Sequence, residues 1–341
     1  MTASNNERYS IEISDGRSIN LVPEQNYKHL NEKQLVDYVE HRRRFVKWLR
    51  EQGKHPEKRE GYSDYTAYET SYKAARFDRW VWVEEERYTI PPTTSHADRY
   101  VADVVALRDV SNATKGKTEE ALIRYLRWIS ETSHAPQWDH EQLFQSGGQD
   151  APRDYLTRRE RRLVREQALE SDDDGWKIAT IVMTSLDAGL RPVEVGRART
   201  EWVDIVNKLL RIPRGDSSKN KDNWRVSITE RTATGLKHWL EERNNTDMYD
   251  GRDELWLTRE ATRYNSRALS RLLSRLCDDA DIDTGGRSLT WYSIRHSTGT
   301  YMSHERGLKA AKSQLRHKSS HTTMKYDQVP VSDRRDALER M

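Results

Sequence analysis

The stretch NKLLRIPRGDSSKNKDNWRVSITE, Asn207 to Glu230, decides how the second half of this chain is read. Leu210 and Ile212 precede a long polar loop, and Trp224, Val226 and Ile228 follow it, so apolar side chains recur at every second position on both sides. That period belongs to strands with one buried face, and it predicts two strands joined by the loop. To either side the period becomes helical. LTRRERRLVREQALE (156–170) reads as a helix capped by Thr157, and GWKIATIVMTSLDAG (175–189) as a buried helix stopped by Gly189. RTATGLKHWLEER (231–243), NSRALSRLLSRLCDDA (265–280) and WYSIRHSTGTYMSH (291–304) are helical again. The expected fold class is mainly α with a small antiparallel β-sheet.

The 341 residues are too many for one ordinary core, so two domains are expected. Four helical segments with no strand signal between them fill residues 31–131: EKQLVDYVEHRRRFVKWLREQ, DYTAYETSYKAARFDRWVWVEEE, SHADRYVADVVALRDV and KTEEALIRYLRWISE. HAPQWDHEQLFQSGGQDAPRDY (134–155) mixes glycine, proline and amides without a period, as a linker does, and places the boundary near Gly147. Before the helices, SIEISDGRSINLV (10–22) sets Asp15-Gly16 between alternating apolar residues, the pattern of a small hairpin. This gives an N-terminal appendage (1–30), a helical domain (31–147), an α+β domain (148–330) and a C-terminal tail (331–341).

Lysine and arginine (58) exceed aspartate and glutamate (55) by only three, so the distribution of charge must indicate the partner. Cys277 is the single cysteine, which excludes an internal disulfide and a cysteine-based zinc cluster and fits a reducing, cytoplasmic setting. The N-terminus lacks a basic-then-apolar signal pattern, and IATIVMTSLDAGL (178–190) is too short and too polar to span a bilayer, so no membrane partner is expected.

Three stretches carry residues suited to chemistry. In DAGLRPVEVGR (187–197), Gly189 ends one helix and Pro192 suits the first turn of the next, where Glu194 meets the positive helix end. Arg191 precedes the proline and is held out of helical geometry. In LTWYSIRHSTGTYM (289–302), Thr290 caps a helix that carries Tyr292 and Arg295 three residues apart. QLRHKSSHTTMKYDQV (314–329) holds His317 and, nine positions later, Tyr326. Taken singly, these read equally well as a helix junction, an amphipathic helix and one of sixteen tyrosines.

Taken in order, Gly-Leu-Arg, a hairpin lysine, Tyr-Ser-Ile-Arg, Leu-Arg-His and Thr-Thr-Met-Lys-Tyr resemble the tyrosine recombinase, or phage integrase, family, including its Xer-like site-specific recombinases. The family pattern is Gly-Leu-Arg-x-x-Glu, a hairpin lysine, His-x-x-Arg-His, Leu-Gly-His and a tyrosine nine positions on. The resemblance covers roughly residues 155 to 330, and the helical segment before it resembles the family's core-binding domain in kind and placement.

The resemblance implies a DNA strand-exchange enzyme in which Tyr326 attacks a phosphodiester, leaving a 3′-phosphotyrosyl link and a free 5′ hydroxyl. Arg191 and Arg295 would donate paired hydrogen bonds to the phosphate oxygens, and His317 a further one. In a water-poor site each such donor is worth about a hundred-fold or more in rate. A phenol ordinarily titrates near pH 10, so the nucleophile needs help at neutral pH. Lys219, which opens KNKDNWR, is the implied general acid for the 5′ oxygen, with Lys221 as its rival. Arginines do the charge work that magnesium does in nucleases, so neither metal nor cofactor is expected. Two positions depart from the pattern. Tyr292 stands where most relatives have histidine, and a phenol is a poor proton acceptor. Arg316 replaces the usual glycine before His317, either tightening the turn or adding a phosphate contact.

Basic clusters point to double-stranded DNA. Arg42, Arg43, Arg44, Lys47 and Arg50 lie on one first-domain segment, and Arg158, Arg159, Arg161, Arg162 and Arg165 just beyond the linker. Arg263, Arg267, Arg271 and Arg275 recur every fourth residue, opposite Leu269, Leu272, Leu273 and Leu276. Singly, each cluster also fits a solvated helix face. The resemblance implies a clamp of two domains on duplex DNA, a homo-tetramer there from a chain monomeric in free solution, and a cytoplasmic, nucleoid-associated location. Two rival readings share the residues: a type IB topoisomerase-like enzyme that nicks and reseals one duplex, and a DNA-binding protein with a decayed site.

Overall fold

A computed structural model describes residues 9–13, 17–145, 154–171, 175–217, 222–324, 326 and 338–339. The chain divides into two compact units between Gln149 and Asp150.

In the first unit, strands β1 (Ser10–Ile13) and β2 (Arg17–Asn20) pair antiparallel, with Ser10 opposite Asn20. The Asp15-Gly16 turn lies outside the described residues. Helices α1 (Glu24–Tyr27), α2 (Glu32–Glu51), α3 (Asp64–Glu84), α4 (Thr94–Tyr100) and α5 (Asn112–Ser133) follow. Asn31, Ser63, Thr93 and Ser111 each accept a hydrogen bond from the backbone amide three residues on, which fixes where α2 to α5 begin. The segment after Thr94 is not one uniform helix: α4 passes into a π-helical turn at Val101–Val105, closed by Ala106 N–H donating to the Val101 carbonyl. Of the stretch read in sequence as an appendage, Ile19, Leu21 and Val22 lie in this unit's core with Phe45, Leu49, Phe77, Val81 and Tyr125. Arg42, expected among the surface cations, is wholly buried: it ion-pairs with Asp78 at 3.7 Å and donates to Ser71. Tyr38 and Tyr125 also donate to Asp78, at 2.8 and 2.9 Å.

The second unit contains α6 (Arg158–Glu170), α7 (Trp176–Ala188), α8 (Pro192–Arg197), β3 (Val203–Asp204), β4 (Leu209–Ile212), β5 (Trp224–Ser227), α9 (Glu230–Asn244), α10 (Ser266–Asp279), α11 (Trp291–Gln314) and α12 (Ser320–Met324). The two expected strands pair antiparallel, Leu210 opposite Val226 and Ile212 opposite Trp224, so the alternating apolar residues share one face. Leu210, Ile212 and Val226 are buried in the unit's core. A short third strand, β3, extends the sheet in the order β3-β4-β5; two residues are too few to show a period in sequence. Thr157 caps α6 and Thr290 caps α11, both as expected. Leu269, Leu272, Leu273 and Leu276 of α10 face the core while Arg267, Arg271 and Arg275 are exposed. Arg263 is not on that helix, because Asn265 caps it; Arg263 pairs instead with Glu254 at 3.4 Å.

Candidate active site

The site is built where the end of α7, the start of α8, the first turns of α11 and the turn after α11 meet. Gly189 closes α7 with φ of 55°, a left-handed conformation, and a Cβ there would come within 2.6 Å of Leu315. Its carbonyl accepts from both Arg295 and Arg316. Proline at 192 holds Arg191 extended (φ −74°, ψ 152°) as the N-cap of α8. Glu194 accepts the Arg191 backbone amide at 2.8 Å, one Arg191 guanidinium nitrogen at 2.9 Å and Arg316 at 2.7 Å.

Arg295, 2% exposed, donates to the carbonyls of Gly189 and Leu315 and meets His317 Nε2 at 2.9 Å. His317 Nδ1 lies 3.0 Å from the Thr323 hydroxyl on α12. The Tyr326 ring stacks on the His317 ring, centroids 5.7 Å apart and planes 15° apart. Gly299 makes the seat for it: a Cβ there would stand 2.7 Å from both Tyr326 Cδ1 and Leu315 Cδ1. Residues separated by up to 135 positions, from Arg191 to Tyr326, thus converge on one buried patch.

The electrostatics of this patch are lopsided. Burial works to raise the Glu194 pKa, yet Arg316, Arg191 and Arg295 hold it down at about 2. Burial, with Arg316 and Arg191 nearby, pushes the Arg295 guanidinium down to about 9, still charged at neutral pH. Burial also lowers Arg316, against the pull of Glu194. Three guanidiniums gathered around one carboxylate among the described residues form a site prepared for an anion.

Of the residues singled out in sequence, Arg191, Arg295, His317 and Tyr326 are brought together. Lys219 and Lys221 lie outside the described residues. Tyr292 is 42% exposed, and its ring packs on His296 with centroids 6.3 Å apart. Arg316 takes φ of 61°, is wholly buried and clasps Glu194 with the carbonyls of Ala188 and Gly189. Arg161 is likewise structural, tying α6 to Ser297 and Thr298 of α11 and to the Leu186 carbonyl. Arg43 and Arg44 are on the surface of α2, both bonded to Glu40.

Sequence reading missed His296. Its Nδ1 lies 3.2 Å from the Tyr326 hydroxyl, and the residue is 7% exposed. The signal was there, since His296 immediately follows Arg295 and stands one helical turn beyond Tyr292. Among the described residues no group of three or more His, Cys, Asp or Glu side chains is arranged to hold a metal ion.

The family model described as Phage integrase family matches residues 160–332, just over half of the chain. The fold is similar to that of a XerH site-specific recombinase bound to palindromic difH substrate in a post-cleavage complex, with TM-score 0.64 and 14% identity over 94% of this chain and 90% of that one. A lambda integrase (75–356) dimer bound to a COC′ core site gives TM-score 0.58 and 14% identity over 86% and 98%. The Tn1549 transposon integrase in complex with circular intermediate DNA gives 0.56 and 13% over 86% and 98%. No curated protein matches the chain by sequence. The chain belongs to the phage integrase family, the tyrosine recombinases. Its class is therefore that of a DNA strand-transferase, with the mainly α fold and small antiparallel sheet expected from sequence.

Proposed function

We propose that this protein is a site-specific recombinase that cuts and rejoins duplex DNA through a 3′-phosphotyrosyl intermediate on Tyr326. The observation that carries the proposal is the contact chain from Arg295 to His317 to Tyr326, in which the phosphate-binding types and the nucleophile adjoin in a buried setting. Arg191 and Arg295 clamp the non-bridging oxygens, held in place by Glu194 and the Gly189 carbonyl respectively. His317, oriented by Thr323, adds a donor as charge develops on the phosphoryl group. The protein stores the phosphodiester energy in the tyrosyl bond, so rejoining needs no nucleotide cofactor. The hairpin lysine, Lys219 or Lys221, protonates the departing 5′ oxygen.

Residues 31–147 serve as the core-binding domain and 148–330 as the catalytic domain. Arg43 and Arg44 on α2 and Arg267, Arg271 and Arg275 on α10, all exposed, grip backbone phosphates, with Arg263 beside them. Recombination joins two duplexes, each held by two protomers, so the working form is a tetramer on DNA, in the cytoplasm at the nucleoid. The test begins with a site the protein itself selects from a randomised duplex pool, then built into a nicked suicide substrate. The wild-type protein is expected to form a covalent adduct that Tyr326→Phe does not form; an adduct persisting in that variant overturns the reading.

A further inference from the structure

Attack by a phenol requires somewhere for its proton to go. The position that holds histidine in the family pattern is occupied here by Tyr292, a weak acceptor that is 42% exposed and packs on His296. His317 turns its ring rather than a nitrogen to Tyr326: its Nε2 meets Arg295 and its Nδ1 meets Thr323, while its ring stacks on that of Tyr326. His296 is placed differently. Among the described residues it brings a ring nitrogen to the Tyr326 oxygen, Nδ1 at 3.2 Å, with the two rings tilted by 38°. Helical spacing explains the substitution of one residue for another, because positions 292 and 296 are one turn apart on α11 and share a face.

We propose that His296 is the general base of strand cleavage in this protein, in place of the residue at position 292. The proposal rests on the reading of Tyr326 as nucleophile. As Tyr326 Oη bonds to phosphorus, its O–H proton passes to His296 Nδ1. The P–O5′ bond breaks, and the 5′ oxygen takes a proton from the hairpin lysine. On rejoining, the 5′ hydroxyl attacks and gives its proton back to the lysine amine, the P–Oη bond breaks and the imidazolium returns its proton to Tyr326. An imidazole nitrogen can accept a proton and give it back, so one side chain serves both directions. Nδ1 acts as acceptor in the neutral tautomer that carries its proton on Nε2. Among the described residues, charged and titratable groups that face the pair include Tyr292 from α11, His317 from the turn after it and Arg295, whose charge acts on the phenol.

The test is single-turnover adduct formation on the nicked suicide substrate, followed against pH for wild type, His296→Asn, Tyr292→Phe and Tyr326→Phe. Asparagine keeps a polar atom near the place of Nδ1 but cannot carry the proton. His296→Asn is expected to slow cleavage about 10²–10⁴-fold at neutral pH and to recover roughly tenfold per pH unit as hydroxide replaces the base. Tyr292→Phe is expected to stay within a few-fold of wild type. With sulfur in place of the bridging 5′ oxygen, whose departure needs no acid, the His296→Asn deficit persists, which separates a base from an acid. Wild-type rate and pH profile in His296→Asn, or the main loss in Tyr292→Phe, overturns the proposal. No adduct with wild-type protein, or one that survives Tyr326→Phe, overturns the underlying reading instead.

Discussion

In the first unit Arg42 and Asp78 are wholly buried together, and the carboxylate also takes hydrogen bonds from Tyr38 and Tyr125. In the second unit Glu194 is as deeply buried, but Arg191 and Arg316 share it and Arg295 lies close enough to act on its charge. The first network balances one cation with one anion. Burial pushes Asp78 up to about 6, so even its single charge is costly. The second holds an excess of cations, which keeps Glu194 at about 2. A fold that needed only stability would have no use for that excess, since uncompensated buried charge is expensive. The difference separates a polar clasp that organises a core from one that awaits an anionic substrate.

The comparison breaks first on its carboxylates. Glu194→Gln removes the anion from buried arginines, at an expected cost of about 3–5 kcal/mol in denaturant unfolding, whereas Asp78→Asn, which removes a charge that burial already penalises, should cost less. Their pH dependence should run in opposite directions. Asp78 has a folded pKa raised above its unfolded value, so its proton favours the folded state and the stability it lends declines as pH rises from about 4 to about 6. Glu194 is depressed, so its contribution is present above about 4.5 and is lost as pH falls towards 2. The penalty of Asp78→Asn should therefore shrink with rising pH and that of Glu194→Gln with falling pH. Parallel pH profiles for the two variants would refute the contrast.

The next largest effect is on catalysis alone. Arg295→Lys replaces a forked donor with a point charge and should slow adduct formation about 10²–10³-fold, whereas Asp78→Asn, where folded, should cleave at close to the wild-type rate. Gly299→Ala should come below this. Its Cβ meets the Tyr326 ring and Leu315, an overpacking of about 1–3 kcal/mol that shows as slower cleavage with little change in DNA affinity. The smallest effects belong to the surface cations. Removing Arg271 or Arg43 should weaken DNA binding evenly across sequences and reduce the slope of log affinity against log salt by about one, measured by titration at several salt concentrations.

Much of this was legible in sequence because it rests on local periods and caps. The alternation of Leu210 and Ile212 with Trp224 and Val226 gave the sheet, Gly189 the end of α7 and Thr157 and Thr290 the helix starts. The order of arginine, histidine and tyrosine motifs gave Arg191, Arg295, His317 and Tyr326. Tertiary partnership was what the sequence concealed. Nothing local to HRRRF distinguishes Arg42, which faces Asp78, from Arg43 beside it, and nothing local to Leu-Arg-His says that Arg316 turns inward to Glu194. His296 carried a local signal in its place after Arg295 and one turn beyond Tyr292, but its partnership rests on a tyrosine thirty positions away.

The central claim is that Tyr326 is the residue that becomes joined to DNA. Digestion of the trapped adduct and mass mapping of the nucleotide-bearing peptide tests it directly, because Tyr292 is a second, more exposed phenol beside the same site. The expected result is a 3′-linked nucleotide on Tyr326. A nucleotide on Tyr292, or on any other residue, would contradict the account.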